Sequence, residues 1–151
     1  MGRMNEAETL RATLTEVLPA LRGLSDAQAS SAKPDKWSTK QVIGHLIDSA
    51  STNHQRFTRL ALDDRPVFQG YAQDRWVELQ DYANAPWPEL LELWETFNRH
   101  LARLMDRIPS EARTRSATIG GSTPASLDFL MRDYVEHLRH HLRQIGVLAE
   151  G

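Results

Sequence analysis

The stretch YVEHLRHHLRQIG, residues 134–146, contains His137, His140 and His141, half of the six histidines in a chain that has no cysteine. On an α-helix, residues four apart stand one above the other. His137 and His141 therefore share a face, whereas His140 is turned about 60–100° away at 3.6 residues per turn. Leu127, Leu130, Tyr134 and Ile145 fall on the same stripe as His141, which turns the histidine pair toward the interior of a helical bundle. Two inward imidazoles at this spacing are the donor arrangement of helical zinc sites. A pair at this spacing also arises by chance, so a third ligand is what makes it a metal site.

His45 is the candidate for that third position. It lies close in angle to Val42, Leu46 and Ser49 on the apolar face of the segment KWSTKQVIGHLIDSA. Taken alone, it reads first as a core histidine satisfied by one hydrogen bond. Three buried imidazoles without partners would each lose of order 1–3 kcal/mol, and one shared cation satisfies all three. His54, nine residues further on, falls about 180° round the helix and is expected to face solvent. His100 is expected on the flank of its own helix. Asp48 and Asp133, each one turn from a candidate ligand, can orient an imidazole by accepting its second ring N–H; both read equally as solvated surface carboxylates. Arg139 and Arg143 read as cover for a solvated face.

Positioning these side chains requires long helices, and the apolar periodicity supplies four. Leu10, Leu14, Val17, Leu21 and Leu24 mark the first, with a kink or restart expected near Leu18 because Pro19 removes a backbone donor. SSAKPD reads as loop. The second helix runs from about Thr39 to about Leu62: Ser38 and Gln41 form a capping box, and Trp37 is placed to staple onto Val42. The third runs from about Pro88 to Ile108 on a stripe of Leu90, Trp94, Phe97, Leu101, Leu104 and Ile108. PSEARTRSATIGGS is a polar connection. Thr123 and Pro124 are expected to cap the fourth helix, which continues to about Leu148. Residues 63–86 lack a sustained period yet contain Phe68, Tyr71, Trp76 and Tyr82, so they read as a structured crossover with a short helix around QDRWVELQDY.

The expected fold is all-α, a single four-helix bundle domain over residues 1–151. The histidines also constrain its topology. His45 is about seven residues into the second helix and His141 about seven from the end of the fourth. Parallel packing would separate them by roughly 15 Å at a 1.5 Å rise per residue. A common site therefore requires antiparallel packing, an up-down-down-up order, with residues 63–86 as the long crossover between helices two and three.

Composition narrows the function. Lys and Arg total 18 against 20 Asp and Glu, and the formal charge is −2. With both signs scattered, a dedicated nucleic-acid or membrane surface is not expected. The opening MGRMNEAETL lacks a basic segment followed by an apolar run, and no stretch approaches the ~18 apolar residues of a spanning helix, so a cytoplasmic protein is expected. Met4 is an alternative start, with Met1–Arg3 as an extension. Without cysteine there is no disulfide, no thiolate ligand and no cysteine nucleophile, and any thiol chemistry uses a borrowed thiol.

KWSTKQVIGHLIDS and YVEHLRHHLRQI, with the aromatic segment GYAQDRW between them, resemble the DinB-like superfamily, and most closely its YfiT-type members, described as metal-dependent hydrolases. The resemblance extends from about Leu10 through Ile145. It implies that His45, His137 and His141 are the three metal ligands, with no fourth protein ligand. It also implies a divalent metal, nickel or zinc with iron or manganese as alternatives, and a homodimer. Members of the family include bacillithiol transferases, and more distant relatives use mycothiol. The resulting expectation is a metal-dependent small-thiol S-transferase acting on an electrophilic small molecule, with Tyr71, Trp76 and Tyr134 as pocket candidates. The alternatives are a hydrolase using metal-activated water and a non-enzymatic metal-binding or dimerisation module.

Overall fold

A computed structural model describes residues 4–63 and 66–150; Met1–Arg3, the extension considered above, lie outside them. In chain order the elements are helices α1 (Glu6–Arg22), α2 (Asp26–Ser30) and α3 (Thr39–Leu62), strand β1 (Val67–Phe68), helix α4 (Gln73–Leu79), a 3₁₀ turn (Tyr82–Asn84), helix α5 (Trp87–Arg107), a second 3₁₀ turn (Ser110–Thr114), strands β2 (Ser116–Ile119) and β3 (Ala125–Ser126), and helix α6 (Leu127–Gln144). The four long helices α1, α3, α5 and α6 make the bundle.

Contacts between helices fix their directions. Arg11 pairs with Asp106 at 2.6 Å and Arg22 with Glu95 at 2.5 Å, so α1 and α5 are antiparallel. His45 meets His141 and Phe57 meets Tyr134, so α3 and α6 are also antiparallel. At one end of the bundle Glu6 and Asp128 share Arg113, and further along Arg139 donates to the Thr13 hydroxyl, which makes α1 and α6 parallel. The order is up-down-down-up, and the crossover runs from α3 through β1, α4 and the first 3₁₀ turn to α5. Between the helices lies a core that includes Leu10 and Leu14 of α1, Ile43 and Phe57 of α3, Trp94 and Leu101 of α5, and Leu127 and Leu138 of α6.

Helix α3 begins as its sequence dictates. Ser38 Oγ accepts from the Gln41 backbone N–H at 3.2 Å, and Gln41 Oε1 accepts from the Ser38 N–H at 2.8 Å. Several other expectations are corrected. Helix α1 continues unbroken to Arg22 with Pro19 inside it. The carbonyl that Pro19 leaves without a partner belongs to Thr15, and both residues are exposed, so water can satisfy it. The cap of α6 is Ser126, whose hydroxyl accepts from the Phe129 N–H at 3.1 Å; Thr123 and Pro124 precede β3. Helix α6 ends at Gln144, and Gly146 then takes a positive φ of 79°, a conformation that stops a helix and favours glycine. The polar connection before α6 contains the second 3₁₀ turn and β2. There β1 pairs parallel to β2 and β3 antiparallel to it, making a three-stranded sheet.

Candidate metal centre

The crossover is locked to α3 beside His45. A Cβ added at Gly44 would stand 2.2 Å from the Tyr82 ring, so only glycine lets that ring seat against the helix. The Tyr82 hydroxyl donates to Asp48 Oδ1 at 2.7 Å, and Gln80 Nε2 donates to the same oxygen at 2.9 Å. Asp48 is buried, and desolvation raises its pKa against these two hydrogen bonds. Its role therefore differs from the one expected of it: it binds the crossover and bonds to no histidine.

His45 in α3 faces His137 and His141 in α6. The ring centroids are 5.3 Å apart for His45 and His137, 4.9 Å for His45 and His141, and 4.7 Å for His137 and His141. One nitrogen from each ring falls within 4.8 Å of the others. The Nε2 atoms of His45 and His137 are 3.5 Å apart, close to the roughly 3.4 Å expected for two ligands of one tetrahedral ion at 2.0–2.1 Å. Trp37 covers His45, ring centroids 5.1 Å apart.

These imidazoles are held neutral. Burial, then the proximity of His141 and His137, lowers the His45 pKa to about 4. Burial, then His137 and His140, lowers that of His141 to about 4. Burial also lowers the His137 pKa, with Asp133 one turn earlier opposing the shift. Neutral imidazole is the form that binds metal. Nδ1 of His45 and Nδ1 of His141 are buried without a hydrogen-bond partner, an arrangement that costs stability unless something else engages the ring. The donor set fits a divalent first-row cation: three imidazoles and no thiolate suit zinc, nickel, iron or copper, and with no fourth protein ligand among the described residues, positions stay open for a small molecule.

Two cavities flank the cluster. The larger, about 740 Å³, is lined by His141, Trp37, Lys33, Lys36 and Gln144 among others. The smaller, about 190 Å³, is lined by His45, His137, Asp133, Tyr134, Tyr71 and Arg56 among others. Gln73 borders both.

The structure thus brings together His45, His137, His141, Asp133, Tyr71 and Tyr134. Trp76 lines neither cavity. It is 39% exposed and packs on Tyr71 with centroids 4.6 Å apart, so it supports the pocket wall from behind. His140 is exposed, its ring 5.7 Å from that of His141. His54 does not face open solvent: it is half-buried against Phe97 and His100 of α5, at 5.8 and 5.2 Å. Arg139 is half-buried too, and its bond to Thr13 joins α6 to α1 instead of covering a solvated face; Arg143 is also half-buried. Sequence reasoning missed Arg56 of the smaller cavity, although its spacing of eleven residues from His45 places it on the same face of α3. It also missed Asn98, fully buried, which accepts the Tyr134 hydroxyl at 2.5 Å.

The bundle, its long crossover and the three facing histidines define a helical protein with a candidate metal site. A family model described as the DinB superfamily matches residues 9–145, and the chain belongs to that superfamily. A protein from Oceanobacillus iheyensis that carries the provisional name of metal-dependent hydrolase is 27% identical over 147 residues, covering 97% of this chain and 84% of that one. One from Bacillus cereus strain AH820 with the same provisional name is 24% identical over 136 residues, covering 89% and 78%. Among solved structures, YfiT from Bacillus subtilis, described as a provisional metal-dependent hydrolase with an unusual four-helix bundle topology, superposes with a TM-score of 0.81 at 21% identity, over 93% of this chain and 86% of that one. The mycothiol-dependent maleylpyruvate isomerase superposes with a TM-score of 0.77 at 12% identity, over 95% of this chain and 60% of that one. At these identities the two superpositions show the fold.

Proposed function

We propose that this protein is a metal-dependent S-transferase in which His45, His137 and His141 hold one divalent cation and a small thiol is joined to an electrophilic small molecule. The observation that carries the reading is three neutral imidazoles converging between two cavities in a chain without a thiol of its own. A cation bound there supplies Lewis acidity that lowers the pKa of a thiol or water beside it.

The chain's own residues supply the rest. The larger cavity has room for a thiol co-substrate and the smaller for the acceptor. Transfer forms a bond from the thiol sulfur to the acceptor carbon, and the leaving group departs with the electron pair of the bond it breaks. The thiol proton leaves to water in the larger cavity, and Asp133 stands in the smaller one, beside the acceptor. Trp37 and Tyr71 form part of the two cavity walls beside the cluster. The same reading takes nickel or zinc as the metal, with iron or manganese as alternatives, bacillithiol or mycothiol as the thiol, and a homodimer acting in the cytoplasm.

Hydrolysis by metal-activated water is the second reading, favoured by the provisional names of the relatives. The test offers bacillithiol, mycothiol, glutathione and coenzyme A in turn, each with a reactive haloalkane or haloarene, to metal-loaded protein and to His45→Ala. Metal-dependent thiol consumption is expected. Ester or amide hydrolysis without thiol consumption replaces transfer by hydrolysis, and no turnover of either kind leaves a non-enzymatic metal-binding module.

A further inference from the structure

The smaller cavity has a charge arrangement that metal binding does not use. Along α3, His45, Ser49, Asn53 and Arg56 follow at spacings of four, four and three residues, so one helical face leads from the histidine cluster to a guanidinium. All four line the cavity, and Asp133 and Tyr71 stand among the residues that complete its wall. Arg56 is half-buried. Among the described residues it joins no ion pair, and its hydrogen bond is from Nη2 to the Gln69 carbonyl at 2.8 Å. A guanidinium has five N–H donors, and Arg56, with one of its nitrogens on a protein carbonyl, keeps donors free to meet an anion in the cavity it lines.

We propose that Arg56 is a carboxylate-binding subsite, receiving the acid group of a small organic acceptor whose reactive end lies at the three histidines. The assignment of that reactive end rests on the metal-centre reading above, whereas the anion site rests on Arg56 itself. The planar fork of a guanidinium matches carboxylate and phosphate alike. A single guanidinium balances a single negative charge, however, and the Asp133 carboxylate on the same cavity repels a second one. That combination selects a carboxylate. A volume of about 190 Å³ falls below the roughly 300–1,000 Å³ of sites for drug-sized ligands, which points to a short acid. The acceptor is accordingly a small carboxylic acid with an electrophilic carbon, and a neutral amide of the same acid is a poor substitute.

The test titrates propionate, propionamide and inorganic phosphate separately into the full-length protein as purified, with and without added zinc, following the Arg56 Nε–H resonance by NMR. Propionate is expected to move that resonance and to bind at least about tenfold more tightly than propionamide, the gain of a charge-assisted hydrogen bond, with phosphate weaker than propionate. The preference should vanish in Arg56→Gln and shrink in Arg56→Lys, which keeps the charge without the fork. Equal affinity for acid and amide, a preference that persists in Arg56→Gln, or phosphate binding more tightly than propionate would each overturn the subsite. Should Arg56→Gln misfold, the wild-type resonance decides alone. Zinc content measured on the same samples separates the two claims: absence of zinc with an intact propionate preference removes the metal reading and leaves the carboxylate subsite standing.

Discussion

Two polar clusters lie between the helices of this bundle, and they are built on opposite principles. The Asn98–Tyr134 cluster is closed. The Tyr134 hydroxyl donates to Asn98 Oδ1, Asn98 Nδ2 donates to the Trp94 carbonyl at 2.9 Å, and both side chains are buried. One turn further along α6, the His45, His137 and His141 cluster is open: its rings crowd together, and two of their buried nitrogens lack any partner. Polar groups that satisfy one another brace a fold. Imidazoles that converge beside two cavities with no such closed pairing are the ones poised for a ligand from outside.

The largest effect should come from removing a ligand of the open cluster. His45→Ala or His141→Ala is expected to weaken zinc or nickel binding more than about a hundredfold, beyond the 10–100-fold typical of losing an outer partner of a ligand. Elemental analysis and competition with a chelator check this, and full metal retention in the His141 variant removes the assignment. The open cluster should also make the metal-free protein acid-sensitive. His45 and His141 have folded-state pKa values near 4 against an ordinary 6.5, so below pH 6.5 the unfolded chain takes up protons that the folded chain refuses. The stability linked to neutral imidazoles is complete above pH 6.5 and is lost as pH falls toward about 4. Melting temperature followed across that window should decline, and His45→Ala should flatten the decline.

Smaller effects test the bracing. Gly44→Ala drives a methyl into the Tyr82 ring and is expected to cost about 1–3 kcal/mol, visible as a lower denaturation midpoint. Tyr134→Phe leaves buried Asn98 Oδ1 without its donor and is expected to cost about 1–3 kcal/mol, or several degrees in melting temperature at roughly 2–4 °C per kcal/mol for a chain of this size. Metal content should hold in that variant, which is what distinguishes a closed cluster from an open one. The smallest effects belong to His54→Ala and His100→Ala. Metal content should stay at the wild-type level in both, and loss of metal in either would make the pair part of the centre.

What the sequence revealed and what it concealed follow from the range of the interactions. Helix α3 was legible from Thr39 to Leu62, because the Ser38–Gln41 box and the apolar stripe are both local signals. The three histidines were legible as inward-facing candidates because i, i+4 spacing on α6 and the angle of His45 on α3 can be read from helical period, while their joining into one ligand set came from the family resemblance. The sheet was not: β1 and β3 are two residues each, and Val67 pairs with Thr118 about fifty positions away, so no period announces them. Asp48 looked like a partner for His45 because the two sit one turn apart. Its actual partner Tyr82 lies 34 residues ahead, where nothing local reveals it. His54 was misplaced because counting along a helix gives an angle but not which neighbouring helix fills it, and α5 occupies that side. Helix α2 has its own capping box at Ser25 and Gln28, a signal present in the sequence and passed over because only five residues follow it.

The 92 residues that separate His45 from His137 have a consequence for how the molecule comes to exist. Contacts of such long sequence separation are made only after a large loop has closed. A chain emerging during synthesis therefore holds one of the three histidines from an early stage, and acquires the other two only when its final helix arrives. Until then the three-histidine cluster cannot form, and the half-made chain carries only His45 of it. Once α6 docks on α3, a cation held by the three histidines would add its binding free energy to the stability of the domain, about 2.7 kcal/mol at a hundredfold excess over Kd. Metal capture would then report on the completeness of the fold, and metal supply would set how long a finished chain survives.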